Sequence, residues 1–210
     1  MILIKEGINE RRHNMSNNIK EKIAKIIRVL SIPPIMFLLF LILLMKEKGN
    51  IFINNNEIII LYILIGIIPI LAYPLSKKIQ CFSNQKREGQ RELAFLFTLV
   101  GYTLAAVYSY FNNSNIEVKI ITYSYCLAVY ILTIFNKFLH IKASGHACSF
   151  TSPIILSSLF LKKGYLLIGI FIGFIISWAS IYLKRHTLKE IMMGILISCV
   201  SIFLIYYLIM

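Results

Sequence analysis

An all-α, polytopic bundle that crosses a membrane about six or seven times is the fold this sequence predicts. Three observations carry that expectation. The 210 residues are 58% hydrophobic and only 15% charged, with a mean hydropathy of +0.76, whereas soluble domains lie nearer half apolar and a quarter charged. The apolar residues fall into seven runs, near 29–45, 58–75, 93–111, 120–139, 147–161, 165–183 and 191–210. Most of the charged residues collect in the short stretches between those runs and in the first 28 residues.

Run length, rather than periodicity, assigns the helices, because most runs are apolar all round. A spanning helix needs about 20 residues to cross roughly 30 Å of hydrocarbon. Five runs come close to that length, while 29–45 and 147–161 are short. The second of these carries Ser149, Thr151, Ser152, Ser157 and Ser158, which predicts a helix that faces protein rather than lipid.

Residues 1–28 are polar and basic (Lys5, Arg11, Arg12, Lys20, Lys22, Lys25, Arg28) and lack the apolar core and cleavage site of a signal peptide. Within them KEKIAKIIR, residues 20–28, has the pattern of a short amphipathic helix for an anionic membrane surface; a plain cytoplasmic flank is the simpler expectation. Residues 29–210 read as one transmembrane domain, with no internal repeat and no linker long enough to divide it. Cys81, Cys126, Cys148 and Cys199 have neither disulfide nor zinc spacing, so no metal and no cofactor is expected.

If all seven runs span, the N-terminus and the loops near 76–92, 137–146 and 183–190 share one face. That face holds 17 of the 22 Lys and Arg residues, and the positive-inside rule then expects a multi-pass cell-membrane protein with these loops in the cytoplasm. The chemistry of the chain is concentrated in the same three loops, within 76–194. The first carries Lys77, Lys78, Lys86, Arg87 and Arg91, the second Lys142, Ser144, Gly145 and His146, and the third Lys184, Arg185, His186 and Glu190. Two crossings separate each loop from the next, so the topology can bring all three together.

Taken singly, each feature has a plain explanation. Ser144-Gly145-His146 can be a turn in which Gly145 takes a positive φ and Ser144 caps the next helix. Lys184 and Arg185 can be interfacial anchors, Glu190 can favour a helix N-terminus, and His140 reads as an interfacial residue. Two histidines, a carboxylate and several cations at one face are harder to account for as packing. On a helix beginning near Thr187, Glu190 lies beside His186 at spacing i, i+4. Its carboxylate can accept one ring N–H, which leaves the other nitrogen to act as a nucleophile. Cations suit a phosphate group whose charge grows toward the transition state, His146 can protonate the departing oxygen, and Ser144 and Gly145 add donors at a helix N-terminus.

In these motifs the chain resembles the type 2 phosphatidic acid phosphatases, relatives of the vanadium haloperoxidases, over roughly residues 76–200. That family carries a lysine followed seven residues later by Arg-Pro, then Pro-Ser-Gly-His, then Ser-Arg with a His six residues and an Asp ten residues beyond the Arg. Ser144-Gly145-His146 matches the second element, with Ala143 for its proline. YLKRHTLKE, residues 182–190, matches the end of the third, with Glu190 for its aspartate. Arg91 stands for the arginine of the first element, Glu92 follows it in place of proline, and Lys86 or Arg87 takes the place of the lysine by offset. Ser180 stands where the third element has arginine, which leaves Arg185 or Lys142 to supply that cation.

The resemblance implies a metal-independent lipid phosphatase acting on a phosphatidate-like or polyprenyl phosphate or diphosphate. His186 would form a phosphohistidine, Glu190 would orient it, and His146 would be the general acid. Arg91, Lys86, Arg87, Lys142, Ser144, Gly145 and Arg185 would hold the phosphate, with the substrate and the surrounding membrane lipids as partners and no nucleic acid involved. A degenerate relative that binds lipid phosphate without hydrolysing it is the nearest alternative, given Ser180. A transporter or scaffold is a further one, although it would normally place ionisable groups at mid-span.

Overall fold

A computed structural model describes residues 18–79, 86–162 and 164–210. Among the described residues there are eight α-helices and no strand. They are α1 (Asn18–Leu30), α2 (Pro33–Glu47), α3 (Asn55–Ser76), α4 (Lys86–Phe111), α5 (Ile116–Phe138), α6 (Gly145–Phe160), α7 (Gly164–Tyr182) and α8 (Leu188–Ile209). Each of the seven apolar runs is a helix, and the fold is an all-α bundle.

Five helices, α3, α4, α5, α7 and α8, are long and apolar enough to cross a membrane, and α1 with α2 makes a sixth if that pair, bent by 60°, counts as one. This is a membrane protein. The difference from seven spans lies in α6. Its 16 residues reach about 24 Å at 1.5 Å each, short of the hydrocarbon thickness. As its serines predict, it is enclosed: Ala147, Cys148, Ser149, Phe150, Thr151 and Ser152 are buried in succession.

The chain nevertheless runs back and forth seven times. Far from the basic loops, the end of α2 meets the α6–α7 turn, where Tyr165 donates to the Glu47 carboxylate at 3.0 Å. At the same end the buried Glu57, at the start of α3, accepts from Ile53 N–H at 2.8 Å and from the Ser114 hydroxyl at the α4–α5 turn. Asn115 there donates to the Ile51 carbonyl at 2.8 Å. The opposite end therefore gathers the α1–α2 elbow, the start of α4, the α5–α6 connection and the α7–α8 turn.

Local chemistry sets how the chain turns at that second end. After α7, Lys184 takes φ 50°, its N–H bonds the Ile181 carbonyl at 2.9 Å and the Arg185 N–H bonds the Ser180 carbonyl at 3.0 Å. This is a Schellman closure, with a lysine in the left-handed position usually given to glycine. The tight reversal places Arg185 and His186 immediately before α8. Ahead of α6, Asn136 holds the incoming loop: Ala143 N–H donates to its Oδ1 at 3.1 Å and its Nδ2 donates back to the Ala143 carbonyl at 3.2 Å.

Gly194 brings α6 and α8 into register. A Cβ at this position would lie 2.3 Å from the Ser144 carbonyl oxygen and 2.9 Å from Ala147 Cβ, so no side chain fits without moving backbone. Gly194→Ala is expected to cost about 1–3 kcal/mol, the usual range for overpacking, and to push the α6 N-terminus off α8. Gly173→Ala, whose Cβ would meet Phe150 at an ordinary 3.5 Å, is the matched control and should leave the melting temperature in detergent unchanged or raised. Equal melting of the two variants would contradict this account of α6–α8 docking.

Candidate functional site

The first turn of α8 builds the clearest part of the site. Thr187 is its N-cap, accepting from Glu190 N–H at 3.3 Å. In an ordinary capping box the acidic residue at the third helical position reaches back to the cap's own N–H. Here the Glu190 carboxylate goes one residue further and meets His186 Nδ1 at 2.8 Å. A carboxylate only accepts, so Nδ1 carries the proton and Nε2 is left with its lone pair. The i, i+4 pairing expected from sequence is present.

The N-terminus of α6 docks beside it. Ser144 is the N-cap, accepting from Ala147 N–H at 3.1 Å, while its own N–H donates to the Glu190 carbonyl at 2.9 Å. The next turn carries His146, whose Nε2 lies 3.0 Å from the Ser31 hydroxyl in the α1–α2 elbow. Ser31 also donates to the Arg28 carbonyl at 3.3 Å.

Both imidazoles line a cavity of about 390 Å³. Arg28, Arg91, Arg185 and Gly145 line it, as do Phe95, Tyr102, Ala128, Val129 and Leu132 from α4 and α5. The Tyr125 hydroxyl, also at the cavity, is buried and finds no hydrogen-bond partner among the described residues. Burial, with added repulsion from Arg28 and His186, depresses His146 to about 3. Burial likewise lowers His186; Glu190 opposes that shift, and Arg28 and Arg91 add to it. Both shifts favour the neutral ring near pH 7.

The structure sorts the sequence-derived candidates. His146, His186, Glu190, Arg91, Arg185 and Gly145 come together. Ser144 is turned into its capping bond and is buried at 1% exposure, so its hydroxyl serves the helix rather than the cavity. Gly145 has no positive φ, and a Cβ there would meet nothing within 4 Å, so neither backbone nor packing requires glycine at this position. Lys142 is exposed and does not line the cavity, because Asn136 holds the chain at the following residue. The side chains of Lys86 and Arg87 lie outside the described residues. His140 is an exposed loop residue with φ 56°, its Nδ1 3.2 Å from the Phe138 carbonyl.

The cation beside Ser180 is neither Arg185 nor Lys142. Arg28 Nη1 donates to the Ser180 hydroxyl at 3.2 Å. Sequence reasoning missed Arg28, Ser31 and Asn136. A signal existed for the first two: Ala24, Ile27, Arg28 and Ser31 recur at helical spacing as one face. Comparisons with protein-family models, with curated proteins and with solved structures find no match to this chain.

The electrostatics make a direct prediction. In histidine-labelled protein followed by NMR, His186 should titrate below its ordinary value of about 6.5. Arg91→Gln removes a repelling cation and should move that titration up, whereas Glu190→Gln removes the stabilising carboxylate and should move it further down. An unmoved His186 in Arg91→Gln would mean that Arg91 does not face the ring.

Proposed function

We propose that this protein is an integral-membrane phosphatase that removes phosphate from a lipid phosphate through a phosphohistidine on His186. The observation that carries the reading is the His186–Glu190 pair opening onto a cavity that also holds His146 and several arginines. Resemblance to the type 2 phosphatidic acid phosphatases at Ser144-Gly145-His146 and at residues 182–190 points the same way. The cavity's mixed lining supports a lipid: its cations suit a phosphate, and Phe95, Val129 and Leu132 in the same lining suit an acyl or prenyl chain. The excess of Lys and Arg in the site-side loops favours a cytoplasmic head group.

In the first step the lone pair on His186 Nε2 attacks phosphorus, and Glu190 stabilises the positive charge that develops on the ring. The bond from phosphorus to the lipid oxygen breaks, and His146 gives its proton to that oxygen. His146 then takes a proton from water, which attacks the phosphohistidine, releases inorganic phosphate and restores neutral His186. The guanidinium groups bear the charge on the phosphoryl oxygens throughout. No step requires a Lewis acid.

Phosphate release from phosphatidate, a lysolipid phosphate and polyprenyl phosphates and diphosphates should persist in EDTA and be blocked by orthovanadate, which mimics five-coordinate phosphorus. His186→Ala should bring release to background. Glu190→Gln should lower turnover by roughly 10²- to 10⁴-fold, as loss of a triad carboxylate does. Hydrolysis that survives His186→Ala would rule out this nucleophile. Wild-type protein that binds lipid phosphate but releases none would instead favour the non-hydrolysing alternative.

A second outcome follows from the depressed basicity of His146. An acid must be protonated, yet the empty cavity keeps this ring neutral near pH 7. A bound phosphate dianion raises the basicity of a neighbouring imidazole, so anion binding should draw a proton from solvent. Calorimetry of vanadate binding at pH 7 in buffers of different ionisation enthalpy should show net proton uptake, and His146→Gln should abolish it. Binding without proton uptake would remove His146 from the role of acid.

A further inference from the structure

The cations around the cavity come from different parts of the chain, and one belongs to none of the three loops that the sequence marks. Arg28 sits in the last turn of α1, half-buried, with Nη1 on the Ser180 hydroxyl at 3.2 Å. It lines the same cavity as Arg91, Arg185, His146 and His186. Its charge reaches both imidazoles, making each harder to protonate. Three residues on, Ser31 holds His146 Nε2. One elbow of the chain therefore touches both histidines' surroundings.

The architecture of α1 explains how an arginine from a surface helix arrives there. Ala24, Ile27, Arg28 and Ser31 form the face that meets the bundle: Ala24 is fully buried, and Ile27 packs against the cluster of Ala147, Phe150, Ile176 and Ile191. Ile19, Ile23, Ile26 and Leu30 form a second stripe, with exposures of 53%, 46%, 59% and 58%. At 100° per residue that stripe lies roughly 120° around the helix from the first. Glu21, Lys22 and Lys25 fill a third sector, with Lys25 paired to Glu21 at 2.6 Å. A helix with separate protein, aliphatic and charged sectors, bent 60° from the span that follows, suits the membrane interface. The amphipathic helix that the sequence allowed over residues 20–28 is present as α1, with a third, site-facing side.

We propose that Arg28 is a phosphate-binding residue of this site, supplied by α1 from the membrane interface and held in place by Ser180. This rests on the reading of the cavity as a phosphate site. A guanidinium presents its N–H groups in a rigid plane that matches two phosphate oxygens at once, and the bond to Ser180 fixes that plane before any anion arrives. Ser180 is buried at 2% exposure, so a long side chain there would compete with Arg28 for the same space. An arginine at position 180 should serve the anion only when Arg28 is shortened.

The test uses full-length protein in nanodiscs containing anionic lipid, with orthovanadate as the binding probe and phosphate release from lipid phosphate as a separate readout. Arg28→Gln keeps an N–H for Ser180 but loses the charge, and should weaken vanadate binding and lower kcat/KM by about 10²-fold or more, the scale of losing one anion-stabilising donor. Arg28→Lys should fall between. Adding Ser180→Arg to Arg28→Gln should restore a large part of both, whereas Ser180→Arg alone should impair them. Lys22→Gln, on the charged sector, is the control and should match wild type.

Vanadate binding by Arg28→Gln within about threefold of wild type would overturn the proposal, whether or not the protein hydrolyses lipid phosphate. Arg28-dependent vanadate binding without any phosphate release would sustain it while removing the hydrolase reading. Wild-type protein that binds no vanadate would overturn both. Should Arg28→Gln fail to fold, Arg28→Lys decides: a folded protein that binds vanadate as tightly as wild type counts against Arg28.

Discussion

Everything at the basic end of this protein depends on the docking of the α6 N-terminus onto the first turn of α8. The Ser144 N–H donates to the Glu190 carbonyl at 2.9 Å, and Gly194, one turn later, is bare so that the Ser144 carbonyl can approach. One residue thus does two jobs on different atoms: the backbone of Glu190 holds Ser144, while its side chain holds His186. Because the contact is backbone to backbone, it fixes the relation of the two histidine-bearing turns without relying on flexible side chains.

The second constraint is electrostatic. Arg28, Arg91 and Arg185 line one cavity together with both imidazoles. Burial lowers the affinity of both imidazoles for protons, and Arg28 on both rings and Arg91 on His186 add to that effect. Perturbed titratable groups lining a cleft are a recurrent mark of functional sites. Glu190 is directed onto His186 Nδ1.

The short helix α6 reconciles these demands with a membrane setting. Its serines and its threonine face helices rather than lipid: Ser152 shares a hydrogen bond with Ser198 of α8 at 2.9 Å and donates to the Cys148 carbonyl at 3.0 Å. Enclosure by neighbouring helices lets α6 be shorter than the bilayer core and still carry polar groups. It also lets His146 lie below the rim of the bundle, where Phe150 flanks its ring.

The helices, their order, the enclosed nature of α6 and the His186–Glu190 pair were legible in the sequence. Each follows from short-range rules: the length of an apolar run, serines clustered on a short helix, and the i, i+4 geometry of a helix start. The even number of passes between the loops also told which of them could meet. Lys142 was not separable from Gly145 and His146 by such rules, since only the Asn136 clasp on Ala143 decides which residues of that loop enter the cavity. Ser144 looked equally suited to capping and to binding, and its burial settled it as a cap. Arg28 was out of reach for a different reason. Its spacing with Ala24, Ile27 and Ser31 marks a helix face, but nothing local says what that face covers. Only the 60° elbow between α1 and α2 carries Arg28 across 152 positions of sequence to Ser180, because a helix pattern specifies a surface and packing alone chooses its partner.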